Sequence, residues 1–269
     1  KLYDVINLYG FEFKASYDDS RVGAVGAFVT SWFNGGTSLG SCSSGVCSFA
    51  STLHNPAPPL NGSGPVASVT LTGLPAAPFG TFTLNFSDVI LTDKDTNIQP
   101  AALSTATCAV YDVATVNGTV TMQGRSTPKS AGTVTLADQS GFLPAVQVPF
   151  SATDGTFTAQ VPWLPSSTLY DITASHWLYL SNKYTGYSVN SAGPFVLPST
   201  RLLGGDATNN GSIKIDDLSC IGGQFGHAPT PGACSGLPNS PDINEDGTVN
   251  ILDLVLAGGN YDLTAPQGW

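Results

Sequence analysis

Residues 242 to 253, DINEDGTVNILD, place oxygen-bearing groups at the spacing of a twelve-residue calcium loop. With Asp242 at position 1, the candidate ligands at positions 3, 5, 7 and 12 are Asn244, Asp246, Thr248 and Asp253, and Asn250 stands at position 9. Calcium prefers oxygen ligands, and the chain wraps the ion only if it turns sharply at position 6, where Gly247 can adopt a positive φ. We predict a calcium site here and call this segment the second loop.

A weaker copy of the pattern, the first loop, lies upstream at residues 206 to 217, DATNNGSIKIDD. Its candidate ligands are Asp206, Thr208, Asn210, Ser212 and Asp217. Position 5 is neutral and position 9 is Lys214, so the attraction for a cation is weaker. We therefore expect two calcium ions, the second loop binding its ion more tightly. The alternative is a pair of acidic turns stabilised by Asx hydrogen bonds without an ion.

Each loop runs into an apolar segment of helical length. Two such units, each lacking the entering helix of an EF-hand and carrying Asp at position 12, resemble the type I dockerin module over residues 201 to 269. The resemblance implies a small α-helical module that calcium folds and whose helix surface docks onto a cohesin domain. It places the two helices at Asp216 to Phe225 and at Asn250 to Asn260.

The composition indicates a mostly β protein, because 30 Gly and 19 Pro favour short strands joined by turns. Only 10% of the 269 residues are charged, and the formal net charge is −10. Acidic residues cluster after Arg201, which argues for a cation-binding segment and against nucleic acid, whose phosphates require Lys and Arg.

Five cysteines fit an oxidising, extracellular environment. Cys42 and Cys47 form a tight CSSGVC clasp, and a bond from Cys220 to Cys234 would tie the segment between the loops to the first helix. Their spacing suits no zinc site, and Cys108 is left as a buried thiol. The sequence has no apolar stretch of transmembrane length. It begins at Lys1 without an apolar signal segment, which is typical of a processed or partial chain.

The first half of the chain alternates as half-buried strands do. The side chains of Phe11, Phe13, Ala15 and Tyr17 are expected to point to one face. A second apolar strand follows at Val22 to Val29, and a loop rich in Gly, Ser and Pro is predicted from Asn34 to Pro65, interrupted at Ser48 to Leu53. Three further strands are predicted at VASVTLTGL, TFTLNFSDVILTD and ATCAVYDV.

The succession NLYGFEFKASYDDSRVGAV, VASVTLTGL and TFTLNFSDVILTDKDTN resembles a cohesin domain over residues 1 to 112. The resemblance implies a jelly-roll β-sandwich that receives a dockerin on one sheet face. Cohesins begin with one further strand, whose tail resembles KLYDV. We therefore predict an open edge beside Val5 to Tyr17, which either a segment preceding Lys1 or an extended segment of a neighbouring chain would cover.

Residues 113 to 200 contain a second strand series with the turn spacing of a small seven-stranded sandwich. VNGTVTMQG, DGTFTAQVP and YDITASH resemble the carboxypeptidase-regulatory-like and Cna-B-type domains of surface proteins. The expected fold is thus two β-sandwich domains, jelly-roll cohesin-like and then Ig or transthyretin-like, followed by the α-helical dockerin-like module.

No catalytic constellation is evident, and we expect no enzyme activity. A glycosidase needs two carboxylates at a cleft, but the two Glu residues are Glu12 on a strand and Glu245 inside the second loop. A nucleophile-elbow motif is absent from the sequence, and His176 beside Trp177 is the histidine with most potential for a chemical role. The four tryptophans, Trp32, Trp163, Trp177 and Trp269, are more consistent with packing than with a sugar-binding platform.

These patterns favour an extracellular structural protein of a bacterial cell surface. The predicted work is assembly of a filament or pilus-like fibre by head-to-tail contacts, with the chain itself as partner. The alternatives are a scaffold or adaptor that binds other cohesin-bearing or dockerin-bearing surface proteins, and a carbohydrate-binding module that binds glycans. Glycosylation sequons occur at Asn61, Asn85, Asn117 and Asn210, so a glycoprotein is expected.

Overall fold

The computed structural model describes residues 1–74, 77–164, 168–236 and 240–269. The chain forms two compact units, Lys1–Tyr111 and Asp112–Trp269. Both units are mostly β, which confirms the predicted class, and two short helices lie in the second. The predicted segments 113 to 200 and 201 to 269 both fall in the second unit. Within the described ranges, no helix has the length and apolar character needed to cross a membrane.

The first unit is a set of short strands around a central five-strand path. The strands are β1 (Leu2–Leu8), β2 (Gly10–Ser16), β3 (Val22–Val29), β4 (Gly36–Ser43), β5 (Val46–Leu53), β6 (Leu60–Gly64), β7 (Ala67–Gly73), β8 (Gly80–Thr92), β9 (Ile98–Gln99) and β10 (Ala106–Val110). The path runs β10-β8-β2-β5-β4 with β9 on β8, while β1 pairs with β6 and β3 with β7. Strand β2 buries Phe11 and Ala15 and exposes Glu12 and Lys14, as its alternation predicts.

The predicted open edge beside Val5 to Tyr17 is wrong for β2. This strand pairs with β5 on one side and with β8 on the other, so the backbone groups on both of its edges are paired. The Val5 part of that range lies in β1, which pairs with β6 in an interrupted register. Asp4 and Asn7 adopt positive φ values of 52° and 55° there, so β1 is not a regular strand.

The interruption predicted at Ser48 to Leu53 lies in β5, but the rest of the predicted loop from Asn34 to Pro65 is wrong where β4 and β6 occupy it. Strand β4 carries no alternating apolar pattern because it lies at the edge of its sheet and is almost wholly exposed. The predicted disulfide between Cys42 and Cys47 is confirmed, and it joins directly opposed residues of β4 and β5.

The second unit stacks two five-stranded sheets. Its elements are β11 (Asp112–Met122), β12 (Thr133–Asp138), β13 (Val146–Pro149), β14 (Thr156–Trp163), β15 (Thr168–Ser175), β16 (Leu178–Leu180), β17 (Asn182–Val189), β18 (Phe195–Val196), β19 (Thr200–Asp206), α1 (Ile215–Gly223), α2 (Ile251–Gly259) and β20 (Gln267–Gly268). One sheet has the order β14-β11-β19-β16 with β18 on β11, and the other has β13-β12-β15-β17-β20. Both helices begin and end within two residues of their predicted bounds.

The loop and helix segments pack into the core of this sandwich. Ile213, Ile243 and Leu256 belong to the same buried cluster as Val116 and Ile172 of the sheets. Helix α2 approaches the end of β19 so closely that a Cβ on Gly205 would lie 2.6 Å from the Cα atom of Ala257. Gly205 also has φ 131°, a conformation that other residues rarely adopt. The sandwich and the loops therefore form one packed body.

The second predicted disulfide, Cys220 to Cys234, is confirmed and links α1 to the segment between the loops. Cys108 is unpaired, as expected, but its side chain is half-buried. The prediction of a buried thiol was wrong, since β10 is the end strand of its sheet and its residues are exposed or half-buried.

Candidate functional site

The second loop turns around the carboxylate of Asp242. The Asp242 oxygens accept hydrogen bonds from the backbone N–H groups of Asp246, at 3.2 Å, and Gly247, at 2.8 Å. Gly247 adopts φ 96°, so the sharp turn predicted at position 6 is present. The backbone N–H of Thr248 donates to the Asp246 carboxylate at 3.0 Å. These bonds hold positions 1, 5 and 7 within one turn.

Asp253 closes the second loop from the first turn of α2. It is fully buried and accepts from the backbone N–H groups of Ile243 at 2.7 Å, Asn244 at 3.1 Å and Asn250 at 2.9 Å. The Asn250 side chain caps α2 by accepting from the N–H of Leu252 at 2.8 Å. One carboxylate thus joins the beginning of the loop to the helix that follows it.

The acidic side chains of the second loop influence one another. Burial raises the pKa of Asp242, and the charges of Asp253 and Asp246 raise it further. Burial likewise raises the pKa of Asp253. For Asp246, burial acts in the same direction, but hydrogen bonds from the side chains of Asn244 and Asn250 contribute to a pKa below its usual value. A cation among these oxygens would relieve the repulsion, which is the environment that calcium needs.

The first loop repeats this geometry. Asp206 accepts from the N–H groups of Asn210 and Gly211, each at 2.9 Å. Asp217 accepts from both the N–H and the hydroxyl of Thr208, each at 2.9 Å, and from the N–H of Lys214 at 2.8 Å. Burial raises the pKa of Asp206, and the charge of Asp217 adds to that effect. Both acidic ends of the first loop are therefore in place.

Positions 5, 7 and 9 of the first loop differ from those of the second. Asn210 donates its side-chain amide to Asp216 at 2.9 Å and accepts from the hydroxyl of Ser212 at 2.7 Å. Lys214 provides no side-chain cap to α1 and forms an exposed ion pair with Asp262. The ammonium group of Lys214 is thus balanced by a carboxylate outside the loop.

Both loops offer mixed oxygen donors. In the described part of the chain, no group of three or more His, Cys, Asp and Glu side chains lies close enough together to hold a metal ion by itself. Each loop would instead combine two or three carboxylates with amide, hydroxyl and carbonyl oxygens, a donor set that suits calcium. The calcium sites and the order of their affinities remain predictions.

The exposed face of α2 is apolar. Ile251, Leu252 and Val255 expose 56%, 55% and 60% of their surface. The corresponding residues of α1, at the same distance from the start of the first loop, are Ile215, Asp216 and Ser219. Only Ile215 among these is apolar, and it is 66% exposed. The two helices therefore present unlike surfaces, and α2 carries the larger apolar patch.

The residues weighed for other chemistry are packed. His176 is buried with Nε2 at 2.9 Å from the Ser130 hydroxyl and Nδ1 at 2.6 Å from the carbonyl oxygen of Trp177. Because a carbonyl only accepts, Nδ1 carries the proton, and burial lowers the pKa of His176 to about 4. Trp32 packs on the core of the first unit, and Trp163, Trp177 and Trp269 pack on the core of the second.

Sequence reasoning missed three residues that contact the second loop from the sandwich. Arg125 and Lys129 lie between β11 and β12, and Tyr179 lies in β16. All three donate hydrogen bonds to backbone carbonyl oxygens of residues 243 to 245. The available signal was the pair of bases in GRSTPK, in a chain with only nine Lys and Arg.

No protein-family model and no curated protein matches the sequence. The chain is similar to a chain of a type II cohesin-X-dockerin complex from Acetivibrio cellulolyticus, at 19% identity and TM-score 0.44, covering 56% of this chain and 97% of that chain. It is similar to a non-cellulosomal cohesin from the archaeon Archaeoglobus fulgidus, at 12% identity and TM-score 0.35, covering 40% of this chain and 73% of that chain. It is also similar to BcpA, the major pilin subunit of Bacillus cereus, at 11% identity and TM-score 0.26, covering 73% of this chain and 60% of that chain.

Proposed function

We propose that this protein is a non-enzymatic subunit of an extracellular filament, stabilised by calcium in its two loops and assembled through α2. The observation that carries the proposal is the exposed apolar patch of α2, formed by Ile251, Leu252 and Val255. Three neighbouring aliphatic side chains, each more than half exposed, are characteristic of an interaction surface. A second copy of the chain is the partner.

The surface that would receive this helix, in our proposal, lies on the first unit. A groove of about 310 Å³ lies on the face of the sheet containing β8, β2, β5 and β4. Leu39, Ala50 and Ile90 supply its apolar side chains, and Glu12 and four Ser or Thr residues also line it. Leu39 is 68% exposed and Ile90 40% exposed, so aliphatic side chains at the groove are free to contact another chain. An apolar helix face laid in an apolar groove is a recurrent mode of recognition.

Pairing α2 of one copy with the groove of the next joins two different surfaces. Such a heterologous contact leaves one unused helix and one unused groove at the ends of every oligomer. The contact therefore propagates, either into a closed ring or into an open filament. We favour the filament, with the first unit acting as receptor and the second as ligand.

Calcium would be held by Asp242, Asn244, Asp246, the carbonyl oxygen of Thr248 and Asp253 in the second loop, and by the corresponding residues of the first. The ion would neutralise the converging carboxylates of each loop. Because Asp253 lies in the first turn of α2, the second loop fixes the start of the helix that carries the apolar patch. Calcium binding and assembly are thus coupled through α2.

The proposal is tested by placing charge on α2. The variant Leu252→Asp/Val255→Asp is expected to sediment as a monomer, while the wild-type chain forms filaments visible by negative-stain microscopy in millimolar calcium. Ser219→Asp, which puts one charge at the exposed position of α1 equivalent to Val255, is the matched control and should still assemble. A wild-type chain that stays monomeric at high concentration in calcium would contradict the proposal.

A further inference from the structure

The turn between β11 and β12 holds the second loop through a buried guanidinium. The Arg125 side chain is 0% exposed. Its Nε and Nη2 atoms donate to the carbonyl oxygen of Ile243 at 3.0 and 2.7 Å, and Nη1 donates to the carbonyl of Pro128 at 2.8 Å. The guanidinium also lies 4.9 Å from the centre of the Tyr179 ring. Arg125 is therefore fixed in one position against the loop.

Lys129 extends this contact along the loop. Its ammonium group donates to the carbonyl oxygen of Asn244 at 3.0 Å and also to that of Glu245. The Glu245 carboxylate lies 3.3 Å from Nη1 of Arg125. Two cations of the sandwich thus bind three consecutive carbonyl groups, at positions 2, 3 and 4 of the second loop. Hydrogen bonds from charged donors are stronger than neutral ones.

The carbonyl group of Ile243 faces away from the carboxylate of Asp253. The carbonyl of Ile243 and the N–H of Asn244 belong to one peptide group. The carbonyl accepts from Arg125, and the N–H donates to Asp253 at 3.1 Å. A rigid peptide group therefore connects Arg125 on the outside of the loop to the position-12 carboxylate on the inside.

Among the residues that the structure describes, none makes an equivalent charged contact with position 2 of the first loop. The carbonyl oxygen of Ala207 accepts from the Ser240 hydroxyl at 2.6 Å, so a neutral donor from the segment between the loops occupies that place. The backbone at position 2 is thus held by the sandwich in the second loop and by the segment between the loops in the first.

We propose that Arg125 and Lys129 are positioning residues for the second ion site. They hold its backbone in the ligating conformation before the ion arrives and thereby set its calcium affinity. This inference rests on the proposed calcium role of the loops. Partners outside the coordinating residues typically change metal affinity by about 10-fold to 100-fold when they are removed.

Simple electrostatics predicts the opposite sign. If the two residues acted only through their charge, they would repel calcium, and removing them would strengthen binding. If they position the loop, removing them weakens binding, because the ion must then order a mobile backbone. The sign of the change in affinity therefore distinguishes positioning from charge.

The experiment is calcium titration calorimetry on the intact chain, for wild type and for Arg125→Met, Arg125→Lys and Lys129→Met. We expect the affinity of the second site to fall by about 10-fold or more in Arg125→Met and by several-fold in Lys129→Met, with the first site unchanged. Arg125→Lys keeps the charge but loses the fork of donors, so it should also weaken the second site. Lys183→Met removes a base from the same sandwich, where Lys183 pairs with Asp171, and should leave both sites unchanged.

Hydrogen exchange in chelator gives a readout that needs no ion. The Asn244 amide should exchange faster in Arg125→Met and Lys129→Met than in wild type, because the peptide group is no longer held from outside. Should Arg125→Met fail to fold, the exposed Lys129 allows its variant to decide alone. Unchanged or tighter calcium binding in the Lys129 and Arg125 variants would overturn the positioning role only. A wild-type chain that binds no calcium would overturn the proposed calcium role as well.

Discussion

The first and second loops share the same ligand spacing but are supported by different parts of the molecule. The carbonyl at position 2 of the second loop accepts from Arg125 of the sandwich, whereas that of the first accepts from Ser240. The helix after the second loop is capped by the side chain of Asn250, whereas the Lys214 side chain at the start of α1 provides no cap. A ligand pattern alone therefore does not define a site, because the support of its backbone comes from elsewhere in the fold.

The largest expected difference between the loops follows from removing position 12. Asp253→Ala leaves three backbone N–H groups without an acceptor, and each buried donor costs about 1–3 kcal/mol. Asp217→Ala leaves two N–H groups and one hydroxyl without their acceptor, and the hydroxyl can rotate to another acceptor. We expect each variant to lose calcium binding at its own loop, and Asp253→Ala to lower the free energy of unfolding more. Calorimetry and chemical denaturation measure both effects, and equal losses of stability would contradict the comparison.

The disulfide between Cys220 and Cys234 should matter only for the first loop and α1. Cys220 and Cys234 are separated by 14 residues, and a loop of this size stabilises by about 3 kcal/mol in the chain-entropy model. In Cys220→Ser/Cys234→Ser we expect lower stability, weaker calcium binding at the first loop and an unchanged second loop. The stability loss should be larger in chelator, when the ion no longer orders α1. Equal weakening of both sites would refute this division.

Exchanging the residues at position 9 should make the calcium affinities of the two loops more alike. Lys214→Asn introduces the capping residue found in the second loop and removes an exposed ion pair, whose contribution is at most about 1 kcal/mol. A new N-cap contributes about 1 kcal/mol, so stability should change little while calcium binding at the first loop tightens. The reverse variant, Asn250→Lys, should weaken calcium binding at the second loop. Titration of both variants measures the exchange, and an unaltered first site in Lys214→Asn would show that position 9 does not distinguish the loops.

Local features were predictable from the sequence, and non-local ones were not. Ligand spacing and Gly247 indicated the turns, and the apolar segments after the loops indicated both helices, because each depends on residues close in the chain. Strand β4 was missed because an edge strand needs no apolar alternation. Arg125 was missed because it is 118 residues from Ile243, and no local pattern reports a contact of that separation.

The parallel pairing of β11 with β19 has a consequence for the kinetics of folding. Val120 of β11 pairs with Thr200 of β19, and Asp206 is both the last residue of β19 and the first candidate ligand of the first loop. Parallel pairing between distant segments forms slowly, since the entropy of closing the chain is lost before contacts compensate for it. The first loop is complete only when this strand has joined the sheet. If the first loop binds calcium as we propose, we expect ion uptake there to be no faster than the pairing of β19 with β11.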